Sequence, residues 1–178
     1  MRICFIDDNP RMTCRVMEGV KGYYLDRTGE TLECKMILVN INGEQVNTDT
    51  IKYYKELFMK LEITMEICES VESVETRIDQ MNTTDMLFMI DLCMIHNEES
   101  MIANNPQYKT ISMQVMDILR NKNLQYKWYS GRSEENFKDP WQRRFTKLYN
   151  IKVPKIYERN DLVPACFRAK IAKEILGV

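Results

Sequence analysis

Apolar and polar positions fall into short blocks along the chain. The most sharply bounded block is residues 85–94, DMLFMIDLCM, with Asn82-Thr83-Thr84 before it and His96-Asn97-Glu98 after it. A short apolar run of this kind predicts a strand buried on both faces, as in the middle of a parallel sheet. It carries a single carboxylate near its end, Asp91. An ionised acid there is costly to bury unless it is paired, solvated or bound to a metal. The run RICFI (2–6) predicts a second strand, and Asp7-Asp8-Asn9-Pro10 follows at once. Pro10 cannot continue a central strand, so the chain turns there.

Residues 12–25 and 31–41 show rough alternation, with Asp26-Arg27-Thr28-Gly29 between them. Asp at the start and Gly at the end suit a tight turn, so 11–46 reads as an inserted β-hairpin that leaves through Asn42-Gly43-Glu44. Helical spacing then begins. Asn47 and Asp49 cap a helix whose stripe is Ile51, Tyr54, Leu57, Phe58 and Leu61. A strand over 63–68 follows, then a Ser70-capped helix with Val71, Val74 and Ile78 inward. After the Asp91 strand and a polar loop, a helix over 109–121 buries Ile111, Val115, Ile118 and Leu119. The strand 125–129 ends on Ser130-Gly131-Arg132. A helix 141–149 opening on Asp139-Pro140, a strand 153–157 and a helix 162–176 complete the pattern.

Composition changes this picture little. The 178 residues, net charge −1 and 44% hydrophobic content suit one globular domain spanning 1–178. No apolar run reaches bilayer-spanning length, and Met1-Arg2 leads directly into a strand pattern. That predicts a cytoplasmic protein with no signal peptide or membrane anchor. Six Cys stand singly, with no CxxC pair and no clustered His, so buried free thiols are expected in place of zinc or disulfides. From Lys138 onward ten Lys/Arg face four Asp/Glu. A solvated helix surface accounts for that excess, although an acidic partner would also meet it. No nucleic-acid-binding pattern is evident.

Removing the hairpin leaves strands and helices in strict alternation, a five-stranded doubly wound α/β pattern. The acid pair in Phe5-Ile6-Asp7-Asp8-Asn9-Pro10, the acid closing Leu87-Phe88-Met89-Ile90-Asp91 and the hydroxyl in Tyr129-Ser130-Gly131 stand in order at strand ends. In that order they resemble the receiver domain of bacterial response regulators. The resemblance covers 1–10 and about 47–178. It implies a parallel sheet of order 2-1-3-4-5 and a phosphoacceptor at Asp91. It also implies Mg²⁺ held by Asp7, Asp8, Asp91 and the Cys93 carbonyl, and a Ser130 hydroxyl that bonds the phosphoryl group. Receivers carry a Lys at the end of strand five; here that place reads Tyr157-Glu158-Arg159-Asn160, which leaves Arg159 or Lys155 as the substitute cation.

The function expected on this basis is a divergent, stand-alone signalling module. It would act through protein partners, a histidine kinase or a downstream effector, or through a homodimer, because no DNA-binding output segment follows the last helix. Its only chemistry would be its own phosphorylation from a donor. A pseudo-receiver scaffold without phosphotransfer is the alternative. A haloacid-dehalogenase-like phosphohydrolase ranks last, because Asp91-Leu92-Cys93 and Asp8-Asn9-Pro10 both lack the second acid of its DxD motif.

Overall fold

The computed structural model describes residues 1–43, 46–91, 94, 109–129, 173 and 176. Five strands form one all-parallel sheet: β1 (Arg2–Asp7), β2 (Glu33–Val39), β3 (Ile63–Cys68), β4 (Met86–Asp91) and β5 (Gln125–Tyr129). The helices are α1 (Pro10–Thr28), α2 (Thr48–Lys60), α3 (Val71–Gln80) and α4 (Ile111–Asn121).

The expected hairpin does not form. Most of residues 11–46 make α1 and β2. The Asn9 side chain accepts the Met12 N–H, Pro10 supplies a pre-set φ in the first turn, and Gly29 closes the helix at φ 72°. The buried positions Thr13, Val16, Met17, Val20 and Tyr24 have helical spacing. Gly29, taken in the sequence for a turn residue, is the left-handed C-cap of a 19-residue helix. A helix of that length carries the chain back across the sheet, so β2 joins β1 in parallel and not as an antiparallel hairpin arm.

The strand order is β3-β2-β1-β4-β5. The expected order 2-1-3-4-5 placed 63–68 directly beside 2–6; β2 lies between them, paired to β1 on one side and β3 on the other. The expected strand 153–157 and the helices 141–149 and 162–176 fall mostly or wholly outside the described residues. Helix α2 with its Asn47 cap, α3 with its Ser70 cap, and strands β3 and β5 lie where the periodicity placed them.

Alternation along the strands divides the core in two. One face carries Ile3, Phe5, Met36, Leu38, Met89 and Tyr129 and packs on α1 and α2, with Leu176 among them. The other carries Cys4, Ile6, Ile37, Val39, Phe88, Ile90 and Trp128 and packs on α3 and α4. Burial on both faces explains why β1, β2 and β4 read as nearly continuous apolar runs. Chain connections diverge to opposite sides at β1 and β4, and in open parallel sheets that point forms a crevice at the carboxyl edge.

Candidate metal centre

Register sets the site. Ile6 pairs with Ile90, and Asp91 pairs with Tyr129. One step past Ile6, Asp7 therefore enters a row with Asp91 and Tyr129 across β1, β4 and β5. Phe5, Met89 and Tyr129 belong to the α1 side of the core, and period-two alternation puts Asp7 and Asp91 on that side as well. Asp8 follows in the turn before α1. One carboxylate oxygen from each of Asp7, Asp8 and Asp91 lies within 4.8 Å of the others. Asp7 is fully buried, Asp91 is 4% exposed and Asp8 is half-buried.

Asp7 is heavily held. Its Oδ1 accepts the Asn9 backbone N–H at 2.8 Å. Its Oδ2 accepts the Thr13 hydroxyl at 2.7 Å and the Tyr129 hydroxyl. Thr13 Oγ1 also lies 3.0 Å from the Asn9 carbonyl and 3.4 Å from Tyr129 Oη. Tyr129 is buried and meets the Phe5 ring edge-on, with centroids 5.4 Å apart. Burial raises the Asp7 carboxyl above its ordinary range, opposed by the bonds from Tyr129, Thr13, Asn9 and Asp8. Burial likewise pushes the Tyr129 hydroxyl well up, reinforced by the charges of Asp7 and Asp91.

The donor set is all carboxylate oxygen, the chemistry of hard cations such as Mg²⁺, Mn²⁺ and Ca²⁺. Asp7, Asp8 and Asp91, expected from the sequence to meet at one sheet edge, are brought together. Cys93, Ser130, Lys155 and Arg159 lie outside the described residues. Thr13 and Tyr129 were missed. Tyr129 reads in sequence as one more strand aromatic, and the loose alternation puts Thr13 in a hairpin arm; its placement three residues after Pro10, in the first turn of a helix, is the signal that identifies it.

Cys4, Cys14, Cys34 and Cys68 are free and buried, as expected. Desolvation pushes the Cys34 thiol up to about 12, so it stays protonated at neutral pH. Among the described residues no helix is long and apolar enough to cross a membrane. No known family model matches the chain, and no curated protein matches it.

Proposed function

We propose that this chain is a divergent receiver-like signalling module that takes a phosphoryl group on Asp91 with the help of Mg²⁺. The observation that carries this reading is the convergence of Asp7, Asp8 and Asp91 at the carboxyl ends of adjacent parallel strands. Asp7 and Asp8 would hold the cation, with Asp91 and the Cys93 carbonyl completing its protein ligands. Its charge would offset the repulsion between a carboxylate nucleophile and phosphoryl oxygens. An Asp91 oxygen attacks phosphorus in an acyl phosphate, the bond from phosphorus to the donor's acyl oxygen breaks, and the donor leaves as a carboxylate. Ser130 bonds a phosphoryl oxygen, and Arg159 or Lys155 supplies the cation that receivers draw from a Lys. The signal passes to a kinase or effector partner, or through a homodimer, in the cytoplasm.

The test is incubation with acetyl phosphate and Mg²⁺, followed by intact-mass and peptide analysis. The expected result is slow addition of one hydroxylamine-labile phosphoryl group on Asp91. Loss of one charge contact in a partly dehydrated site costs roughly 1.5–3 kcal/mol, so labelling slower than in a Lys-bearing receiver is expected. Labelling elsewhere, or at the same rate in Asp91→Asn, would refute the assignment. A scaffold without phosphotransfer is the second reading, favoured by the near-complete burial of Asp91 and Asp7. Intact Mg²⁺ binding with no label would select it.

A further inference from the structure

We infer that the outer edge of β3 pairs antiparallel with the same edge of a second copy of this chain, joining the two sheets into one. β3 stands at the end of the sheet, and among the described residues nothing pairs with its outer side. The Asn40 N–H donates to the Cys68 carbonyl at 2.8 Å, so Cys68 turns its backbone groups toward β2. Alternation turns Thr64 and Glu66 the same way. It leaves the N–H and carbonyl of Ile63, Met65 and Ile67 pointing outward. This edge lies two strands away from β1, and the pairing does not draw on the acids there.

Edge strands of soluble proteins usually carry a device against such pairing: a Lys or Pro, a bulge, or very short length. β3 has none of these. It runs for six residues, ITMEIC, and its register with β2 is unbroken from Cys34–Ile63 to Val39–Cys68. Its one charge, Glu66, is bridged by Arg77 of α3.

The edge is complementary to itself in one register. With Met65 opposite Met65 of the second copy, Ile63 faces Ile67, and each facing pair of outward residues exchanges two hydrogen bonds. Thr64 then stands opposite Glu66, a hydroxyl against a carboxylate. Sliding by two residues one way sets Glu66 against Glu66; the other way leaves Ile67 beyond the end of the facing strand. The two-fold axis of this pairing is perpendicular to the sheet, so α2 and its copy share one face. On α2, Phe58 is buried and Tyr54 lies on the α1 side, within reach of the charges of Arg11 and Arg15. Met59 lies round the helix from Phe58 in the opposite sense, over the β3 edge, and is 71% exposed. Pairing brings it toward Met59 of the second copy and covers both.

The experiment combines sedimentation equilibrium of the full chain with residue-resolved amide exchange by NMR, from about 50 µM to about 1 mM, a range that suits a weak contact. The expected result is a reversible dimer. The amides of Ile63, Met65 and Ile67 should exchange about tenfold more slowly as the dimer fills, whereas those of Thr64 and Glu66, bonded to β2, stay protected throughout. In Ile67→Pro the missing N–H is an outward one, so no bond to β2 is lost, and dimerisation should weaken by at least about tenfold. Met59→Glu sets like charges near the two-fold axis and should weaken it as well; it decides if circular dichroism shows that Ile67→Pro does not fold. A chain that stays monomeric across the range overturns the inference. So does a dimer in which the three outward amides remain unprotected, or one whose association is unchanged in the deciding variant.

Discussion

Replacing Asp8 by Asn separates the two consequences of crowding three acids. Without metal, carboxylate oxygens up to 4.8 Å apart repel each other. Two full charges at that distance interact by about 3.5 kcal/mol at an effective dielectric of ~20. Asp8 is half-buried, so solvent screening reduces the relief from neutralising it to about 1–2 kcal/mol. For a chain of this size that is a rise of about 2–8 °C in Tm in the presence of EDTA. With metal the gap should close. A site with a Kd of ~1 mM stabilises the unmodified chain by about 1.4 kcal/mol at ~10 mM Mg²⁺, whereas Asp8→Asn should gain little. Thermal melts of both proteins in EDTA and in Mg²⁺ read all four values. If the variant melts at the same temperature in EDTA and gains as much from Mg²⁺, the acids neither repel nor share a cation, and the site is refuted.

Two further outcomes follow from the same structure. Because burial raises the folded-state carboxyl of Asp7 above its ordinary value of 3.8, the folded chain keeps that proton to higher pH than the unfolded chain. Its contribution is complete below about pH 4 and is lost as pH rises through the folded value, so Asp7→Asn should gain on the unmodified chain as metal-free urea denaturation is repeated from pH 4 to 7. A difference that stays flat would show that Asp7 ionises without penalty. Deleting 11–46 removes α1 and β2, the strand that joins β1 to β3, so the shortened chain should lose its cooperative thermal transition by circular dichroism; a surviving sharp transition would show that the sheet closes without β2.

By itself the sequence determined the elements whose local signals agreed. The Asn47 and Ser70 caps, the stripe through Phe58 and the apolar block ending at Asp91 each had one consistent reading, and α2, α3 and β4 follow them. The acid pair at Asp7-Asp8 was legible for the same reason: Pro10 marks the end of β1, and carboxylates at a buried strand end stand out against their apolar surroundings. Two matters waited for the tertiary structure. Residues 12–25 satisfy a loose two-residue alternation and a helical period at once, and the cap at Asn9 with the return of the chain to pair β2 beside β1 settles them as helix. The strand order and the approach of Tyr129 to Asp7 depend on contacts distant in the chain, the latter between residues 122 apart. No local pattern encodes those contacts; burial of both sheet faces brings them about.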